Sequence, residues 1–121
     1  MNIQKAIVRR ITDALVANAI DTGASLIETE IFDDGDGVTI RVTDNGGGMS
    51  EEVRQAALRD LNQERRDEYD QYYGQLAGQG SSGRGLVIVG YMIDRATITC
   101  TPHGWTVVEV HRERRDKKRK K

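Results

Sequence analysis

The chain has 121 residues, 37% hydrophobic and 31% charged, which is enough for one soluble domain with a modest core. Its single cysteine, Cys100, excludes an internal disulfide and fits a reducing compartment. The net charge of −1 hides an asymmetry: residues 111–121 hold eight Lys/Arg and two Asp/Glu, while the remainder holds ten basic and seventeen acidic residues.

No apolar run reaches the ~18 residues of a membrane span. The N-terminal Met1-Asn2-Ile3-Gln4-Lys5 lacks the apolar core of a signal peptide, so a cytoplasmic protein is expected. With one proline and thirteen glycines, glycine is the main punctuation of the chain.

Residues 3–22 have the spacing of an amphipathic helix. Ile7, Ile11, Leu15 and Ala19 form one stripe, and Val8, Ala14 and Asn18 lie beside it. Asn18 is a polar amide near an apolar stripe and needs a partner. That partner is either core backbone or a ligand. Gly23 ends the helix. Residues 25–33 alternate as a strand with one face buried, Asp34-Gly35-Asp36-Gly37 supplies a turn, and Val38–Thr43 is the second strand of a hairpin.

Asp44-Asn45-Gly46-Gly47-Gly48-Met49 follows that strand. By itself this is a common turn pattern. It also lets backbone approach a ligand closely, with Asp44 free to accept a hydrogen bond from an exocyclic amine. Ser50 then caps a helix through about Leu61, with Val53, Ala56, Ala57 and Leu58 facing inward. Residues 62–84 are polar, with Leu76 almost the only aliphatic residue, as expected of a lid or a disordered stretch.

Gly80-Ser81-Ser82-Gly83-Arg84-Gly85 opens an apolar run, Leu86–Ile93. Free N–H groups at a glycine-rich helix start bind phosphate, and a flexible linker is the bland alternative. The β-branched residues and Gly90 leave a strand as the rival for 86–93. Strands over Ala96–Thr101 and Trp105–Val110 follow, joined by Pro102-His103-Gly104. Neither His103 nor His111 has a neighbour at metal-binding spacing. Cys100, in a strand, reads as a buried inert thiol.

Three stretches in order carry a resemblance. Leu15-Val16-Ala17-Asn18-Ala19-Ile20-Asp21 looks like an asparagine box, Asp44-x-Gly46-x-Gly48 like a first glycine box, and Gly80-x-x-Gly83-x-Gly85-Leu86 like a second. Together they resemble the ATP-binding (Bergerat) fold of gyrase B, the ninety-kilodalton heat-shock chaperone, sensor histidine kinases and mismatch-repair ATPases. The resemblance covers about residues 3–112.

It implies an α/β two-layer sandwich with a mostly antiparallel sheet of four or more strands and helices on one face. It assigns an ATP-binding domain to 1–112, with an ATP lid at 62–84, and leaves 113–121 as a basic tail without fixed structure. It further implies that Asn18 holds Mg²⁺, that Asp44 bonds the adenine amine, and that Gly46 and Gly48 make room for the base. Met49 would line the adenine pocket, and Thr106 would support Asp44 and its water. Gly83, Gly85 and Leu86, with the N–H groups beside them, would cradle phosphate.

One departure bears on activity. The hydrolysing branches place a general-base glutamate four residues before the asparagine, and here that residue is Ala14. Asp13 is adjacent but about 100° around the helix, so it serves only if the register shifts. Weak or absent hydrolysis is therefore expected. A regulatory protein of the anti-sigma-factor kinase type, using ATP to phosphorylate or grip a protein partner, is the alternative. A homodimer is also open. A third alternative is a nucleic-acid-binding protein acting through the basic tail, which otherwise reads as a solvated terminus.

Overall fold

The computed structural model describes residues 3–68 and 85–114. Its elements are α1 (Ile3–Asp21), β1 (Ile27–Asp33), β2 (Gly37–Asp44), α2 (Glu51–Leu61), α3 (Gly85–Gly90), β3 (Arg95–Cys100) and β4 (Thr106–Glu113). The four strands form one antiparallel sheet in the order β1-β2-β4-β3, and the helices lie on one face. This is the α/β two-layer architecture expected from the sequence.

The α1 stripe is the reason for the layering. Ile7, Ile11, Leu15 and Ala19 recur every four residues, so they lie along one side of the helix. None is more than 2% exposed. They meet alternate residues of the strands: Val38, Ile40 and Val42 from β2, Val108 and Val110 from β4, and Ala96 and Ile98 from β3. Helix α3 packs between α1 and α2, and α2 covers β3. Truncating a buried aliphatic such as Ile11 to alanine costs about 2–5 kcal/mol.

Several expectations are corrected. Strand β1 does not bury one face. On this edge strand only Ile27 is half-buried, and Ile31 and Phe32 are about half exposed. On α2, Ala57 and Leu61 are buried, whereas Val53 is more than half exposed. The apolar run after Gly85 is a helix, but it ends at Gly90 and not at Ile93. A Cβ on Gly90 would come within 2.2 Å of the Asp60 carbonyl oxygen, so glycine there allows α3 to touch the end of α2.

The first residues of the polar 62–84 segment belong to the body. Asn62 bonds the Ala96 N–H and carbonyl through its amide. Arg65, with its side chain 5% exposed, donates to Asp67, Asp94 and the Glu113 carbonyl. Its partner Asp94 also accepts from the Glu113 N–H. The Arg66 N–H donates to the Tyr91 carbonyl, and its guanidinium stacks over the Tyr91 ring. The remainder of the expected lid, 69–84, and the tail beyond 114 lie outside the described residues.

Candidate nucleotide site

Strands β2 and β4 pair so that Asp44 and Thr106 are directly opposite, on the face covered by the helices. Both are nearly buried, at 5% and 3% exposure. Alternation along each strand places Val42 and Val108 on that same face. Above them runs the C-terminal half of α1. There Asn18 is three residues beyond Leu15 and one before Ala19, and Thr22 follows one turn later. A cavity of about 340 Å³ lies between the two layers at this end. The side chains of Leu15, Asn18, Ala19 and Thr22 form one wall and those of Asp44 and Thr106 the floor, and Met49, Ser50 and Val53 close the α2 side.

The floor is polar and short of partners. The Gly46 N–H donates to Asp44 Oδ1 at 2.8 Å. Among the described residues Asp44 Oδ2 has no hydrogen bond, and Thr106 Oγ1 has only Cys100 Sγ, 4.0 Å away. An unpaired buried acceptor costs about 1–3 kcal/mol, and a donor entering the cavity relieves that cost. Asn18 is half-buried on the cavity wall, and its amide has no hydrogen bond among the described residues. Asn18 thus lines the cavity and, among the described residues, is not bonded to core backbone.

The glycine loop after Asp44 is held from both sides. The Asn45 N–H donates to the Leu26 carbonyl, and its side chain bonds Ser25 and Leu26. The Gly47 N–H donates to the Gly104 carbonyl at 3.0 Å. Gly46 does not line the cavity. A Cβ there would meet Thr22 Oγ1 at 2.1 Å, so its missing side chain admits the end of α1. Gly48 does line the cavity, with Met49 beside it.

The structure thus gathers Asn18, Asp44, Gly48, Met49 and Thr106 around one space and places Gly46 behind it. Gly85 and Leu86, which open α3, do not line this cavity, and the Leu86 side chain packs against the core. Gly83 lies outside the described residues. Ala14, one turn before Asn18, is half-buried against the core and brings no polar group. Asp13 is exposed and borders a different groove, with Lys5, Ala6, Arg9 and Arg10. The register shift that would aim Asp13 at Asn18 is therefore absent.

Sequence reasoning missed the cavity-lining roles of Leu15, Ala19, Thr22, Val42, Ser50, Val53 and Val108. Most were discoverable from periodicity: two residues along a strand, or three to four along a helix, from an identified site residue.

A family model described as histidine kinase-, DNA gyrase B- and HSP90-like ATPase matches residues 4–116. The chain belongs to this family. No curated protein matches it, so membership stands at the level of the family as a whole. Of the stretches that carried the resemblance, the asparagine-box residue Asn18 and the first-glycine-box residues Asp44 and Gly48 line the cavity. Among the described residues, no three His, Cys, Asp or Glu side chains form a metal-binding group. Nor is any helix there long and apolar enough to cross a membrane.

Proposed function

We propose that this chain binds Mg-ATP in the cavity between α1 and the β2–β4 floor, and that it hydrolyses the nucleotide weakly or not at all. The supporting observation is the buried Asp44 carboxylate, whose second oxygen lacks a partner at the floor of a largely apolar space. The exocyclic amine of adenine is a donor suited to that oxygen, and Val42, Val108 and Met49 suit a flat base. Guanine presents a carbonyl oxygen in the same place, so acceptor would face acceptor.

Asn18 is the residue that would hold a metal at the α1 wall, through its amide oxygen. Magnesium keeps several waters and takes phosphate oxygens, so a single protein ligand fits, and three clustered carboxylates or histidines are not required. The chemistry it would supply there is neutralisation of phosphate charge. The chain's own residues bind and orient the nucleotide, but Ala14 offers no group to deprotonate an attacking water. The expectations about a lid and a basic tail fall largely on residues that are not described and add nothing to this reading.

Thermal melting with ATP, with and without Mg²⁺, tests the proposal. A ligand at one hundred times its Kd stabilises the folded state by about 2.7 kcal/mol. ATP with Mg²⁺ should raise the melting temperature, and GTP should do so much less. Equal effects of ATP and GTP, or no shift with millimolar ATP, would overturn it.

A further inference from the structure

We infer that Asn45 is a positioning residue that sets adenine selectivity by holding the Asp44 carboxylate in one orientation; this rests on the nucleotide reading above. Asp44 can favour an amine over a carbonyl only if a defined oxygen faces the ligand. That definition comes from the Gly46 N–H, which occupies Oδ1 at 2.8 Å and leaves Oδ2 for the cavity. Gly46 has no side chain of its own to anchor it, so its position depends on its neighbours.

Asn45 is the anchor on the α1 side. Its Oδ1 accepts from the Ser25 N–H at 2.9 Å and the Leu26 N–H at 3.0 Å, and its Nδ2 donates to Ser25 Oγ at 3.0 Å. These bonds tie the loop to the connector between α1 and β1, the same connector that follows Thr22. Thr22 in turn donates to the Ala19 carbonyl at 2.7 Å and fills the space beside Gly46. The wall that presents Asn18 and the loop that orients Asp44 are therefore joined through Asn45 and Ser25. The bonds are solvent-exposed. Water can replace them when they are lost, so their removal releases the loop without leaving a buried group unpaired.

The test is the ratio of ATP to GTP affinity in Asn45→Ala and Ser25→Ala, measured by calorimetry in the presence of Mg²⁺ alongside melting temperature. Asn45→Ala should lower the ratio by about tenfold, which corresponds to about 1.4 kcal/mol of lost discrimination. Ser25→Ala removes one of the three side-chain bonds and should lower the ratio less. A residue that only stabilises the fold would shift the melting temperature and leave the ratio at the unmodified value, and that result would overturn the inference. Should Asn45→Ala fail to fold, an unchanged ratio in folded Ser25→Ala overturns it equally. An unmodified chain without preference for ATP would refute the nucleotide reading itself, and this inference with it.

Discussion

The two ends of the cavity are built on different principles. At the strand end, Asp44 and Thr106 sit opposite each other on neighbouring strands, buried, with Asp44 Oδ1 already bonded to backbone. Sheet register sets their spacing, and the ladder on both sides resists change. At the helix end, Asn18 projects from α1 with no hydrogen-bond partner among the described residues, and Ala14 below it contributes only packing. If a nucleotide binds as proposed, this preorganised floor would discriminate between bases, because it adapts little. A lone amide on a helix selects nothing until a ligand supplies its partner. On the proposed reading, the strand end serves recognition, while among the described residues Ala14 brings no reactive group to the helix end.

The sharpest way to change that contrast is to give the helix end a reactive group. Ala14→Glu places a carboxylate one turn before Asn18, on nearly the same side of α1. General-base assistance contributes about 10²–10⁴-fold, and phosphate release should rise toward that range over the unmodified chain. A phosphate-release assay in the presence of Mg²⁺ checks it. No increase, despite intact ATP binding, would show that the rest of the helix end is also unsuited to hydrolysis.

Breaking the strand end comes next in size. Asp44→Asn keeps an oxygen to accept from the Gly46 N–H but turns the cavity-facing acceptor into a donor. ATP affinity should fall by about 1–3 kcal/mol, the scale of a charge-assisted bond lost in a buried site. The melting temperature without nucleotide should change little, since the loop bond survives. At the helix end, Asn18→Ala should weaken ATP by about 1 kcal/mol with Mg²⁺ present and by less without it. Titration with and without the ion separates the two cases. If Asn18→Ala costs as much without Mg²⁺ as with it, Asn18 touches the nucleotide directly.

Much of this was legible in the chain because it depends on local spacing. The α1 stripe, the β1–β2 hairpin and the Ser50 cap of α2, whose Oγ accepts from the Val53 N–H, follow from neighbours within four residues. The pairing of Asp44 with Thr106 did not follow from spacing. It arises because β4 inserts between β2 and β3, and only the motif resemblance hinted at it. The exposure of β1 goes with its place at the sheet edge, a property of the strand order and of no single element. Gly90 read as a weakness in a helix, whereas its meaning lies in the Asp60 carbonyl packed against it. Asn45 read as a turn residue because its partners, Ser25 and Leu26, are about twenty positions away.

Val53 carries the smallest expected effect. By helical periodicity it faced the core, yet it is 55% exposed and borders the cavity. Exposure and lining make separate predictions of opposite sign. As an exposed helical residue, valine is less favourable than alanine by about 0.5 kcal/mol, because its branched Cβ loses rotamer freedom. Val53→Ala should therefore raise the melting temperature of the nucleotide-free protein slightly. As part of the cavity wall, valine offers two methyl groups that a bound base or sugar would partly cover. Losing that contact should weaken ATP by about 0.5–1 kcal/mol, or two- to fivefold. A protein that melts higher when empty but gains less from ATP would identify Val53 as a residue of the site. If stability falls instead, Val53 packs against the body as its spacing first implied, and the α2 side of the cavity is closed by Met49 and Ser50 without it.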